Sequence, residues 1–287
     1  MVVSSVMGAR HWKIGTRVID LSRQGLIMGV LNVTPDSFSD GGRFLDPAAA
    51  LAQAMAMAKE GAQIIDVGGE STRPGAEPIS AKEELGRVLP VIEQLRGRVD
   101  SFISIDTSKA EVAEAALNAG AHMVNDVSGG RADPEMLPLI ARSQAAFIIM
   151  HMQGTPKTMQ VAPAYEDVVE EVTNFFRQQY ARVLECSIDP MTIAFDPGIG
   201  FGKTLEHNLE LLGNIDRLRV QGRPLAVGVS RKSFLGKLTG LPESADRLTP
   251  TVALTALLRA GGADIFRVHD VLQNVQALRL TEQVMSR

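Results

Sequence analysis

Met28-Gly-Val-Leu-Asn-Val-Thr-Pro-Asp-Ser-Phe-Ser-Asp-Gly-Gly42 changes character at its fifth residue. It begins as a short apolar run, as a buried strand does. Asn32 then opens a run of Thr, Pro, Asp, Ser and Gly, the composition of a loop. A strand that ends in an amide and opens into a polar, glycine-bearing loop sets functional groups on a rigid scaffold. The same event recurs about seven more times along the chain, and the recurrence decides the fold.

Working outward, apolar runs at 26–32, 63–69, 102–106, 123–127, 146–151, 192–196, 225–230 and 265–269 read as strands. Helical signals lie between them. Asp46-Pro47 caps a helix that runs to 60 and ends at Gly61. Ser80 opens the next, with Glu83 three residues on as a capping box. Further helices are expected at 108–118, from Asp133-Pro134 to 142, at 165–186, from Thr204, near 246–260 and at the C-terminal end.

Short apolar strands joined through helices predict a parallel sheet with helices over one face. Eight such units predict a closed (β/α)8 TIM barrel. A doubly wound open sheet is the competitor. It carries its site residues at one switch point, whereas polar residues here end nearly every strand. Residues 11–25 alternate weakly around Gly15 and predict a short N-terminal hairpin ahead of the barrel. No linker or low-complexity segment divides the chain. It reads as one domain over 1–287, with the barrel proper at about 26–285.

Of 287 residues, 45% are hydrophobic and 22% charged, the balance of a globular protein. Net charge is −4, so no broad basic face speaks for a nucleic-acid partner. No apolar run approaches the length of a membrane span, and residues 1–12 lack the apolar core of a signal peptide. Cys186 is the single cysteine and cannot form an internal disulfide. A cytoplasmic protein without a membrane partner is expected.

In such a barrel the site lies at the C-terminal ends of the strands. Those ends carry Asn32, Thr72 and Arg73 in the loop after the second strand, Asp106, Asn125, Asp196, Lys232, Arg267 and His269. Asp106, Asn125 and Asp196 suit a flat heterocycle with N–H and C=O edges. Lys232 can donate to a ring carbonyl. Asn32, Thr72, Arg73, Arg267 and His269 suit an anion, since arginine offers a fork of donors matched to phosphate. Arg267 and His269 are two apart in a strand and share a side, from which Phe266 and Val268 point away.

Plainer readings compete. Asp106 could cap the helix at 108–118. Asp66, between Ile65 and Val67, reads as readily as a buried structural acid as a site residue. His122, His151 and His207 read as structural or surface residues. Gly198-Ile-Gly-Phe-Gly-Lys-Thr204 looks like a nucleotide-binding loop, but Pro197 stands where that spacing needs glycine. It reads as a glycine-rich turn, with Phe201 available to line a pocket. No Cys/His cluster suggests zinc, and no Gly-x-Ser-x-Gly elbow appears.

Seven motifs in unbroken order carry a resemblance. They are Asn-Val-Thr-Pro-Asp-Ser-Phe-Ser-Asp-Gly-Gly at 32–42, Asp-Val-Gly-Gly-Glu-Ser-Thr-Arg-Pro-Gly at 66–75, Ser-Ile-Asp-Thr at 104–107, Asn-Asp-Val-Ser-Gly-Gly at 125–130, Asp-Pro-Gly-Ile-Gly-Phe-Gly-Lys at 196–203, Ser-Arg-Lys-Ser at 230–233 and Arg-Val-His-Asp at 267–270. The chain from 26 to 275 resembles the dihydropteroate synthase family, pterin-binding TIM barrels of folate biosynthesis and the target of sulfonamides.

The resemblance implies a transferase that joins 6-hydroxymethyl-7,8-dihydropterin pyrophosphate to p-aminobenzoate, giving 7,8-dihydropteroate and pyrophosphate. It implies that Asp106, Asn125, Asp196 and Lys232 hold the pterin. Asn32 with Mg2+, and Thr72, Arg73, Arg267 and His269, hold the pyrophosphate, and Val268 is counted among the substrate-binding residues. Arg73, Pro74, Phe201, Lys232 and Ser233 border the p-aminobenzoate pocket. Asp106, Asp196, Lys232, Arg267 and His269 form the implied catalytic set. A homodimer through outer helices is implied as well. The loops at 33–45 and 70–79 are long for this fold and are expected to close over the reactants. A pterin-binding methyltransferase domain is the nearest alternative. Ser230-Arg-Lys-Ser233, the Arg267/His269 pair and the 70–75 loop favour pyrophosphate chemistry over it.

Overall fold

A computed structural model describes residues 10–34, 47–72, 75–240 and 247–287. The described residues start with an antiparallel hairpin, β1 (His11–Ile14) and β2 (Arg17–Asp20), turning at Gly15 with φ 57°. Then come β3 (Leu26–Asn32), β4 (Ile64–Gly68), β5 (Phe102–Asp106), β6 (Met123–Asp126), β7 (Ala146–Met150), β8 (Ile193–Asp196), β9 (Ala226–Val227) and β10 (Ile265–Val268). These eight form one sheet in the order β8-β7-β6-β5-β4-β3-β10-β9, parallel at every pair. A parallel bridge from Phe195 to Leu225 brings the two ends of the sheet together, so the sheet curls into the expected barrel.

Helices follow the strands: α1 (Pro47–Lys59), α2 (Ala81–Leu95), α3 (Ala110–Ala119), α4 (Met136–Ser143), α5 (Val168–Glu185), α6 (Leu205–Gly213), α7 (Ser233–Thr239), α8 (Leu248–Ala260) and α9 (Val271–Met285). Among the described residues no helix is long and apolar enough to cross a membrane. Gly61, at φ 101°, ends α1 as expected; Asp46 lies outside the described residues. Cys186 is a free thiol just past α5.

Two apolar layers follow from the two-residue period of the strands. Ile65, Val67, Ile103, Ile105, Val124, Phe147, Ile149, Phe195, Phe266 and Val268 face outward and pack under the helices. Met28, Ile64, Phe102, Met123, Ile148 and Ile265 face inward and join Trp12, Ile14 and Leu21. The hairpin therefore plugs the lower end of the barrel. Trp12 is fully buried there, and its Nε1 donates to the Thr192 carbonyl at 2.8 Å.

Going up the barrel, the inward positions turn polar. Ile64 is followed by Asp66 and Gly68, Phe102 by Ser104 and Asp106, Met123 by Asn125, and Ile265 by Arg267. The register sets Asp66 beside Ser104, Gly68 beside Asp106 and Asp106 beside Asn125. A dry floor under a polar mouth is thus written into the alternation.

Several local expectations are corrected. Of the strand expected at 225–230, only β9 and the bridge at Leu225 pair, because the chain then leaves the sheet and turns through Arg231, at φ 58°, into α7. That short helix was not expected, since two turns leave little periodicity to read. The helix expected at 165 starts at Val168, where Asp167 accepts from the Glu170 amide at 2.9 Å. Ser80 caps α2, but Glu83 does not return the bond; its carboxylate pairs with Arg87 at 2.6 Å. The reciprocal box occurs instead at Thr204 and His207 on α6, which gives His207 its structural role. His122 is structural too, its Nδ1 accepting from the Ile103 amide at 3.0 Å.

Candidate active site

The strand ends converge on one guanidinium. Arg267, on β10, donates from Nε to Asp66 Oδ2 at 2.6 Å and from Nη2 to Asp106 Oδ2 at 2.5 Å. Asn125, on β6, donates from Nδ2 to the same Asp66 Oδ2 at 3.1 Å. Asp66, whose role the sequence left open, is therefore a site-forming acid, fully buried at the centre of the cluster. The capping alternative for Asp106 falls away. The first amide of α3, on Ala110, bonds Asp133 Oδ2 at 2.8 Å, and Thr107 Oγ1 accepts from the Lys109 amide. That helix starts two residues later than expected, and Asp106 is left to Arg267.

Two buried carboxylates share one guanidinium. Burial pushes the Asp106 carboxyl up to about 7 against the pull of Arg267, and the Asp66 charge adds to the rise. For Arg267, burial works against the charge, but Asp66 and Asp106 outweigh it and hold the group firmly ionised. Asp196, at the end of β8, is likewise raised by burial and opposed by Lys232. Lys232 is lowered to about 8 by burial, with Asp196 opposing.

The turn after β8 builds the second wall. Asp196 Oδ1 accepts from the Gly198 amide at 2.7 Å. Lys232 Nζ donates to the Ile199 carbonyl and stands 4.7 Å from the Phe201 ring centroid, a cation over an aromatic face. Beneath, the buried Lys203 donates to the carbonyls of Gly198 at 3.0 Å and Phe201 at 2.9 Å, and lies 3.1 Å from His151 Nδ1. Burial and the adjacent Lys203 lower the His151 imidazole to about 2, so it stays neutral and can accept that bond. Gly198 has φ +65°, and a Cβ there would stand 1.9 Å from the His151 carbonyl oxygen. Close backbone approach explains the glycines, as the plain reading of this turn required. Lys203 and His151 were missed as partners; 52 residues separate them, and no spacing rule links them.

On the anion side, His269 Nδ1 is 3.0 Å from Ser230 Oγ, which also accepts from the His269 amide at 3.1 Å. Arg231 pairs with Asp270 through its Nε at 3.0 Å, so the 230–233 and 267–270 motifs hold each other. Thr72 is half-buried in the loop whose two ends Glu70 ties together: its Oε1 accepts from the Ile79 amide at 2.7 Å and its Oε2 from Lys109 at 2.9 Å. Arg73 and Pro74 lie outside the described residues, as do Asp36, Asp40 and most of the 33–45 loop. Ser233 is exposed as the first residue of α7.

One expectation changes. Val268 is 1% exposed in the layer beneath the helices, so it does not line the mouth. The alternation that turns Arg267 inward turns its neighbour out. Arg267 is already engaged: its guanidinium bonds Asp66 and Asp106 across the barrel.

Among the described residues, no group of three or more His, Cys, Asp or Glu could hold a metal ion. Asn32 ends β3 half-buried, and its register partner Gly68 has no side chain to fill the space between Asn32 and Asp106. A single hard oxygen in an open position fits Mg2+, which keeps several waters and takes substrate phosphates as ligands.

A family model described as pterin binding enzyme matches residues 28–269. A dihydropteroate synthase of Synechocystis sp. is 47% identical over 269 residues, covering 94% of this chain and 93% of the relative. The structure of Yersinia pestis dihydropteroate synthase with a sulfonamide drug complex has a TM-score of 0.90 at 43% identity, over 96% of this chain and 100% of that one. The Xanthomonas albilineans dihydropteroate synthase with 4-aminobenzoic acid also has a TM-score of 0.90, at 41% identity, over 97% and 99%.

Proposed function

This chain belongs to the pterin binding enzymes, and from that premise we propose that its barrel mouth runs the dihydropteroate synthase reaction. It condenses 6-hydroxymethyl-7,8-dihydropterin pyrophosphate with p-aminobenzoate, releasing pyrophosphate and 7,8-dihydropteroate. The observation that carries the reading is the polar rim: Asp106, Asn125 and Asp196 on three strands, with Lys232 and Arg267 as the cations among them.

Acceptors on separate strands meet the N–H edges of a flat pterin, and Lys232 donates to its ring carbonyl. Lys232, held over Phe201, also borders the aryl-amine pocket together with Ser233, Arg73 and Pro74. Thr72, Arg73, Arg267 and His269 take the pyrophosphate. Its departure leaves positive charge on the exocyclic carbon, which the Asp196 carboxylate beneath stabilises. The aromatic amine is neutral at pH 7 and attacks directly, so no nucleophile–base pair is needed. Asn32 would hold Mg2+, which supplies countercharge to the leaving pyrophosphate.

We further propose that the chain works in the cytoplasm as one domain and as a homodimer. The lone free Cys186 suits a reducing compartment. Leu257 on α8 and Leu280 and Val284 on α9 are each about two-thirds exposed, which suits burial against a second copy.

The test is pyrophosphate release by the purified chain with the pterin pyrophosphate, Mg2+ and p-aminobenzoate. Release that requires p-aminobenzoate is expected. Its absence would sink the proposal, and methyl transfer to or from a pterin would favour the methyltransferase alternative.

A further inference from the structure

Asp66 is the buried acid to which the reaction above gives no part. It lies midway along β4, with Ile65 and Val67 facing the helices on either side. One of its oxygens, Oδ2, accepts from Arg267 Nε and from Asn125 Nδ2 together. Arg267 belongs to the anion side and Asn125 to the ring side, so one carboxylate oxygen joins the two halves of the site. The other oxygen, Oδ1, is buried without a protein partner, as is Oγ of Ser104, its register neighbour on β5.

A carboxamide has two unlike ends. Its nitrogen only donates and its oxygen only accepts. Asn125 turns its nitrogen down to Asp66, whose Oδ2 accepts from it at 3.1 Å. The oxygen of Asn125 and the second N–H of its nitrogen are then left for a ligand, the oxygen as the acceptor. Without Asp66, either end of Asn125 could face the mouth. The same carboxylate grips Arg267 at Nε while Asp106 takes Nη2, and two such bonds fix the plane of a guanidinium.

We infer that Asp66 is a positioning residue: it makes Asn125 an acceptor toward the ring and sets the plane of Arg267 toward the pyrophosphate. This rests on the pterin reading above. A site that presents an acceptor selects a ring with an N–H or amino group at that edge and rejects one with a carbonyl there, because two acceptors would face each other without a proton. Asp66 therefore acts on which heterocycle is bound, not only on how tightly.

The experiment uses the full chain and two probes, 6-hydroxymethylpterin and its 2,4-dioxo counterpart, with binding measured by calorimetry. Asp66→Asn keeps the volume, keeps an acceptor for Arg267, and offers a donor toward Asn125 that lets that amide turn over. The preference for the amino ring is expected to fall by at least about tenfold. KM for the pterin pyrophosphate should rise while KM for p-aminobenzoate stays unchanged, a split that general loosening would not produce. In an Asn125→Ala background, Asp66→Asn should leave the ring preference where it was. An unchanged preference in the single variant, or equal rises in both KM values, would overturn the inference. If Asp66→Asn does not fold, the side-chain amide of Asn125 in the wild-type chain decides, read by NMR with labelled asparagine. Slow exchange of its protons in the free protein is expected, and free exchange overturns the idea. Wild-type turnover separates the two levels: without p-aminobenzoate-dependent release the proposed function fails, whereas with it and an unaltered Asp66→Asn only this inference does.

Discussion

Asp106 stands between burial, which favours its neutral form, and Arg267, which favours its charge; burial wins and the carboxyl titrates at about 7. The folded state thus holds a proton that the unfolded chain has already released. The resulting contribution to stability is fully present below the ordinary carboxylate value of 3.8 and is lost as pH rises through about 7. Binding runs the other way, since only the ionised group is a pure acceptor. Pterin affinity, followed by titration between pH 6 and 8, should rise with pH, and Asp106→Asn should flatten that rise; the same inflection in the variant would assign it to another group. Arg267→Ala removes the cation that two buried acids share. Loss of one partner of a buried pair costs about 3–5 kcal/mol, and partial exposure of the guanidinium places this change near the lower figure. Urea denaturation should show that loss together with loss of turnover. Lys232→Ala should abolish turnover with the barrel still folded, and wild-type rates in it would remove Lys232 from the site.

At the scale of elements, the hairpin and the β8–α6 turn separate stability from chemistry. Trp12 closes the floor far from the polar mouth. Trp12→Ala should cost about 3–5 kcal/mol, since a buried aromatic is lost and a carbonyl loses its donor. The kcat of the protein that remains folded should change little; a large fall would show that the plug shapes the mouth. Gly198→Ala should do the reverse of sparing the chemistry. Its Cβ would meet the His151 carbonyl, forcing the turn that carries Asp196, Phe201 and the Lys232 acceptor to move. A fall in kcat/KM of at least about tenfold is expected, because misplacement by an ångström already costs that much or more. Signals for these elements were unevenly legible. Ser80 and Gly61 are local devices and read directly from the chain. The cap of α3 was not legible, since it comes from Asp133, 23 residues downstream.

For the whole molecule, the exposed leucines of α8 and α9 bear on assembly. Sedimentation of the wild-type chain should give the mass of two copies, and Leu257→Glu with Leu280→Glu should halve it while the circular dichroism of the barrel persists. A monomeric wild type would end the homodimer proposal. The chain by itself determined the number of strands, their direction and the side on which each residue lies. Those follow from helical connections and from a period of two, which are properties of neighbouring residues. It also determined that polar groups would ring one end, because the inward positions become polar toward each strand's C-terminus. Only the tertiary structure decided who meets whom. Arg267 reaches Asp66 across 201 residues of sequence, and Lys203 reaches His151 across 52. Such pairings depend on the stagger between strands and on closure of the sheet, which bring remote positions to one height in the barrel. Local periodicity says which way a side chain points; only the register of distant strands says what it finds there.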